Sequence, residues 1–142
     1  MLFSKSCEYA LRAVIYVCQK SSDNVNIGVK EIARAIESPE PFTAKILQQL
    51  ARKKIIASIK GPNGGFYIDH KQPPVSIYQV VEAIDGSDFF ERCVLGLKDC
   101  SEKKPCPMHQ HFKKHREELT FIFKKKTIHD LIIGQKGKIN LK

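Results

Sequence analysis

A chain of 142 residues, 42% hydrophobic and without a low-complexity tract, can build one compact domain or a small domain with an appended element, and has the apolar content for a real core. Its net charge of +9, spread along the whole length, points to a polyanionic partner, nucleic acid or an anionic membrane, without choosing between them. Five cysteines, an odd number, argue against a complete disulfide framework; the apolar run at 13–18 is too short to export or span and follows Arg12, so a reducing cytoplasm without membrane association is expected.

Residues 5–20 place Cys7, Ala10, Leu11, Val14, Ile15 and Cys18 at i, i+3, i+4, i+7 spacing. This predicts an amphipathic helix in which Cys7 and Cys18 pack as small hydrophobes. Ser21-Ser22-Asp23-Asn24 reads as a turn and 27–29 as a short link into a second helix over 29–36, with Val29, Ile32, Ala33 and Ile36 inward. Ser38-Pro39-Glu40-Pro41 breaks that helix and starts another, because proline suits the first helical turn. From Phe42 to about Lys53 the apolar side chains again share one face, and the pair forms a helix-turn-helix. Its second helix would present Thr43, Lys45, Gln48, Gln49 and Arg52 outward, with Lys53 and Lys54 suited to phosphates. Glutamine can pair with adenine edges and arginine with guanine. No acidic residue falls between Glu40 and Asp69, whereas five basic ones do. An ordinary solvated helix face would carry many of the same residues.

The next segment argues for DNA binding. Strands at 55–60 and 66–68 flank Gly61-Pro62-Asn63-Gly64-Gly65, a chain reversal rich in residues that accept positive φ. A β-hairpin directly after a helix-turn-helix is a wing, with Lys60 and Asn63 near its tip. The glycine loop lacks the Lys-Ser/Thr of a phosphate-binding loop and runs from strand to strand, which argues against a nucleotide site. Ser76 is a plausible N-cap for a fourth helix over 76–84, ended by Asp85-Gly86-Ser87.

Cys93, Cys100, Cys106 and His109 follow in the spacing C-x6-C-x5-C-x2-H, within a stretch that has neither helix nor strand period. Three thiols and an imidazole in one loop are the ligand types of iron–sulfur clusters and of zinc. Beyond them Met108, Phe112, His115, Leu119 and Ile122 step by four, three, four and three, the heptad period of a seam between paired helices. Thr127-Ile128-His129-Asp130 resembles a helix start, and from Gly134 a frayed basic tail is expected.

These residues together resemble the Rrf2 family of bacterial winged-helix regulators, which includes the iron–sulfur regulator IscR and the nitric-oxide-responsive repressor NsrR. The resemblance runs from Ser4-Lys5 and Glu8-Tyr9-Ala10 to the final short helix. Its most specific pieces are the segment from Pro41 to Leu50, the wing Lys60-Gly61-Pro62-Asn63-Gly64-Gly65-Phe66 and the three-cysteine loop. It implies a homodimer on a near-palindromic double-stranded DNA operator, with the helix near Pro41 in the major groove and the wing in the minor groove. Lys60 stands where the family's wing usually begins with arginine, which keeps charge but not the planar donor fork, and Ala44 stands where some members have glutamate. The resemblance assigns Cys93, Cys100 and Cys106 as ligands of a [2Fe–2S] or [4Fe–4S] cluster, although the first gap is six residues where five is usual. It leaves two candidates for the fourth ligand, His109 of the same chain and Glu8 from the partner subunit, with His111 behind both. Zinc at the same loop, or no metal, is the alternative.

The expected architecture is mainly α with a small β-hairpin: a winged helix-turn-helix domain over 1–85, a cluster-binding loop over 86–107, and a long dimerisation helix with a tail over 108–142. The expected function is a DNA-binding transcriptional regulator, a repressor, whose operator affinity follows the state of the cluster. A catalytic thiol–imidazole pair has no orienting residue or oxyanion-type turn in the sequence, so an enzyme is not expected.

Overall fold

In the computed structural model, residues 2–21, 25–135 and 139–142 are described. Helix α1 (Lys5–Lys20) is the central strut, with Cys7, Ala10, Ala13, Val14 and Val17 buried along it. The burial is wider than the expected stripe, because α1 is packed by neighbours on several sides; Leu11, Ile15 and Cys18 are only partly buried. Ser4 starts the helix: its Oγ accepts the Cys7 N–H at 3.1 Å. The Asp85 carboxylate accepts both the Ser4 hydroxyl and its N–H, the latter at 3.0 Å, which ties the start of α1 to a distant helix end.

Helices α2 (Val29–Ala35) and α3 (Glu40–Arg52) form the helix-turn-helix. Each ends in the same device. The residue after the cap takes a left-handed backbone, Glu37 at φ 52° and Lys54 at φ 60°. The next N–H then reaches back into the last turn, Ser38 to the Ala33 carbonyl and Ile55 to the Leu50 carbonyl, both at 3.0 Å. This is the Schellman closure, which satisfies end carbonyls and redirects the chain. Pro39 caps α3 and Pro41 lies in its first turn, as expected from the two prolines.

Strands β1 (Ala57–Ile59) and β2 (Gly65–Tyr67) pair antiparallel, Ser58 opposite Phe66, to make the wing. Ile55 and Ile56, expected in the first strand, are instead buried anchors that precede it. The segment at 27–29 is more than a link: Ile27 bridges Phe66 on the other side, with reciprocal N–H···O bonds of 2.8 Å, and so adds a third strand position. Gly65 is required there, since a Cβ would lie 2.6 Å from the Ile27 carbonyl oxygen.

Helix α4 (Ile77–Asp85) has Ser76 as its N-cap in a full capping box with Gln79, and α6 (Ile128–Ile133) has the matching box of Thr127 and Asp130. The two capped ends are bridged, Ile77 N–H to the Lys126 carbonyl at 3.0 Å and Ile128 N–H to the Val75 carbonyl at 2.8 Å. Between them come a 3-10 turn, Ser87–Phe90, the cysteine loop, and the long helix α5 (His109–Lys125). The fold is the expected one, a winged helix-turn-helix followed by a long C-terminal helix.

The main core joins α1, α2, α3, α4 and α6 through residues such as Ile32, Leu47, Leu50 and Val80, all fully buried. Burying each such side chain contributes about 1.5–3 kcal/mol. A second cluster positions the loop. Phe90 packs with Tyr78 (ring centroids 4.7 Å apart) and Phe123 (5.8 Å), while Phe3 bridges Phe89 and Phe123. This aromatic group clamps the entry of the cysteine loop to α4, to α5 and to the N-terminus.

Two expectations need correction. The seam on α5 faces the domain along Phe112, Arg116, Leu119 and Phe123, whereas His115 and Ile122 point to solvent and Met108 only precedes the helix. A heptad drifts only about 20° from a straight 3.6-residue helix over two turns, so contact with the aromatic cluster decides the register. The C-terminus is also docked where it is described. Leu141 is buried in the core, Ile139 packs beside it, and the Leu141 carbonyl accepts from Arg12 Nη1 at 3.4 Å. Residues 22–24 of the expected turn and 136–138 of the expected tail lie outside the described residues.

Candidate metal centre and nucleic-acid interface

The cysteine loop is built from short turns that fold the thiols inward. The Cys93 carbonyl accepts the Gly96 N–H at 2.9 Å, closing a turn in which Gly96 adopts φ 74°. Ser101 and Lys104 exchange backbone bonds of 3.2 and 3.1 Å, and that tight reversal sets Cys100 and Cys106 side by side. The Cys106 carbonyl then accepts the N–H of His109, the first residue of α5, at 3.0 Å. As a result the three Sγ atoms lie within 4.8 Å of one another, with Cys93 and Cys106 only 3.5 Å apart. All three are free thiols and partly buried.

His109 is 8% exposed and meets this triad at one corner, its Nδ1 3.2 Å from Cys100 Sγ. Its other nitrogen, Nε2, is 3.2 Å from a carboxylate oxygen of Glu102, and that oxygen also pairs with Lys113 Nζ at 2.5 Å. An ionised carboxylate only accepts, so in the neutral imidazole Nε2 carries the proton and Nδ1 keeps its lone pair towards Cys100 Sγ. Lys113, and then His109, hold the Glu102 carboxyl below its usual range. The other two candidates are elsewhere: His111 is exposed on α5, and Glu8 lies on α1 paired with Lys5 at 3.7 Å. Among the described residues no further His, Cys, Asp or Glu joins the thiol group.

The thiols differ in acidity. Backbone N–H groups of Leu97 and then Leu95 point at Cys93 and, with the neighbouring thiols, bring it down to about 7. Cys100 receives the Cys106 N–H, which lowers it, but desolvation and the neighbouring sulfurs outweigh that bond and raise it overall. Three converged thiols, one of them already acidic, with an imidazole against Cys100, are soft donors that fit either zinc or an iron–sulfur cluster.

On the face expected to read DNA, Lys45, Gln48 and Arg52 are exposed on one side of α3, continued by Lys53 and Lys54 at its end and by Lys60 and Asn63 on the wing. Two of the expected contacts are not on that face. Thr43 is 1% exposed and its hydroxyl donates to the Pro39 carbonyl at 2.9 Å; it closes the first turn of α3. Gln49 is partly buried against α4 and donates through Nε2 to the Ala83 carbonyl at 3.1 Å. Their polarity is used inside the protein. Sequence reasoning missed Glu102 and Lys113, whose only signal was acid and base close to a candidate ligand, and it missed Phe89 and Phe90 as the anchors of the loop.

Comparison with known proteins places these features. The family model for Rrf2, described as an iron-dependent transcriptional regulator, matches residues 3–133. A putative HTH-type transcriptional regulator from Aquifex aeolicus is 33% identical over 134 residues, covering 93% of this chain and 92% of that protein. The HTH-type transcriptional regulator NsrR of Oceanobacillus iheyensis is 23% identical over 142 residues, covering 99% and 96%. Among solved structures, CymR, the global cysteine regulator of B. subtilis, superposes with a TM-score of 0.74 at 18% identity, over 94% of this chain and 98% of that one. These relatives are regulators rather than enzymes, and no helix among the described residues is long and apolar enough to cross a membrane.

Proposed function

The chain belongs to the Rrf2 family of transcriptional regulators, and on that premise we propose that it is a homodimeric repressor whose hold on a near-palindromic operator is set by an iron–sulfur cluster at Cys93, Cys100, Cys106 and His109. The observation that carries this is the convergence of three sulfurs within 4.8 Å of one another, with His109 Nδ1 3.2 Å from one of them, Cys100 Sγ. An iron–sulfur cluster supplies a centre that oxygen, nitric oxide or iron scarcity can dismantle.

The rest follows from the chain's own residues. Engaged on one centre, the three cysteines and His109 hold the stretch from Arg92 to His109 in a single arrangement. Disengaged, that stretch is held at its ends by the Phe90 aromatic cluster and by Arg116, which donates to the Arg92 carbonyl at 3.2 Å. Helix α5 would pair with its copy, and its register would set how the two α3 helices are spaced, about one turn of DNA apart. Lys45, Gln48 and Arg52 would read base edges, with Lys53, Lys54, Lys60 and Asn63 on the backbone and minor groove.

Zinc is the second reading, and one observation favours it. Thiolates on a single zinc at about 2.3 Å sit about 3.8 Å apart, near the 3.5 Å between Cys93 and Cys106. Anaerobic purification, with the visible spectrum and iron, sulfide and zinc measured per chain, separates the two. Matched iron and sulfide, bleached by air or nitric oxide and accompanied by altered operator affinity in gel shift, is the expected result. A colourless protein with one zinc per chain, or equal affinities with and without the cluster, would reject cluster sensing.

A further inference from the structure

Glu102 and Lys113 stand apart from every role assigned so far, yet they make a close polar contact beside the thiols. Resting on the metal-centre reading above, we propose that Glu102, held by Lys113, is a positioning residue that fixes His109 as the fourth ligand through Nδ1. The geometry is a relay: Lys113 Nζ to Glu102 at 2.5 Å, Glu102 to His109 Nε2 at 3.2 Å, and His109 Nδ1 to Cys100 Sγ at 3.2 Å. A carboxylate on the far nitrogen of a ligating histidine fixes its tautomer and ring orientation and raises its basicity. Lys113 lies one turn into α5 and His109 begins that helix, so the relay also fastens the loop at Glu102 to the helix that follows it.

The same side chains limit the expected size. Glu102 is 59% exposed and Lys113 35%, so their attraction is screened and adds little to stability. Orientation of a buried ring is what they supply. Loss of such an outer partner typically weakens metal binding 10–100-fold, and exposure places this case near about tenfold.

Cobalt(II) titration of the reduced, metal-free full chain tests the proposal, with affinity read from the thiolate–cobalt absorption against a competing chelator. Cobalt serves as probe because it accepts the same soft ligands whichever centre is native. Glu102→Ala should weaken binding about tenfold, and Lys113→Met should weaken it less. Glu102→Gln, whose amide oxygen still accepts the Nε2–H, should recover most of the affinity. In a His109→Ala background the Glu102→Ala change should have no further effect. Unchanged affinity in Glu102→Ala, or an equal loss with and without His109, would overturn the relay while leaving the centre intact. Failure of the unaltered protein to bind cobalt would overturn the metal-centre reading and the relay with it. Circular dichroism of each variant confirms that the fold is retained.

Discussion

Cys93 and Cys7 show how much one thiol can differ from another in a single chain. Cys7 is wholly buried on α1, and desolvation, followed by the nearby Asp85 and Glu8 carboxylates, pushes it up to about 12. Cys93 has backbone N–H groups aimed at it and sits at about 7. At neutral pH a larger share of Cys93 is therefore thiolate than of an ordinary cysteine. In reduced, metal-free protein iodoacetamide should label Cys93 first and leave Cys7 untouched in the folded state. The sign of the pH dependence follows: labelling of Cys93 should rise through about pH 7 and level off, because a lowered pKa completes ionisation early. Peptide mass spectrometry reads the order, and first labelling at Cys100 or Cys106 would contradict this assignment of acidity. The candidate ligands were legible from spacing alone because a loop without period has little other use for three thiols. The DNA face was legible only in part. Helical period places Thr43 and Gln49 near the open side, but a carbonyl from Pro39 and another from Ala83 claim them, and such partners are invisible before the helices are docked.

Helix ends decide the shape of the helix-turn-helix. The turn between α2 and α3 places Glu37, a residue with a Cβ, at φ 52° in a region that suits glycine. That conformation costs about 1–2 kcal/mol for an ordinary side chain. Glu37→Gly removes the strain, offset in part by the greater entropy of glycine in the unfolded chain. A net gain of about 0.5–1 kcal/mol is expected, seen as a higher midpoint in urea. Glu37 also pairs with Lys142 at 3.8 Å, but both side chains are more than 60% exposed, so removing that ion pair is too small an effect to reverse the sign. A lower midpoint would show that the glutamate does more in this turn than occupy it. At this scale the helices were readable because apolar periodicity and caps such as Ser76 and Thr127 are local signals. The third strand position at Ile27 was not, since its bonds go to Phe66, far along the chain. The seam on α5 was legible only in part for the same reason: Phe123 is drawn to Phe3 and Phe90, and no local pattern contains that contact, while Ile122 stays exposed.

For the whole molecule the question is what meets the outer side of α5. Phe121 is 64% exposed and Ile122 48%, adjacent on a helix whose inner side is already packed on the domain. Large apolar side chains left together on a charged surface, here beside Glu117, Glu118, Lys124 and Lys125, suit an interaction site. A second copy is the occupant that the proposed symmetric operator requires, because two recognition helices must be held one DNA turn apart. If so, assembly and DNA reading are separable by mutation. The double change Phe121→Glu, Ile122→Glu should shift the protein to monomer in sedimentation and abolish tight operator binding together, with the thermal midpoint nearly unchanged because neither residue is buried in one chain. Lys45→Ala should leave the dimer intact while weakening operator binding. If Lys45 touches phosphate, the loss is similar on every sequence and the slope of log affinity against log salt falls by about one; if it reads a base, the loss of about 1–3 kcal/mol is confined to the operator. A dimer that survives the double glutamate change would move the interface away from this side of α5. A Lys45→Ala variant that binds normally at matched salt would remove the exposed face of α3 from the DNA contact.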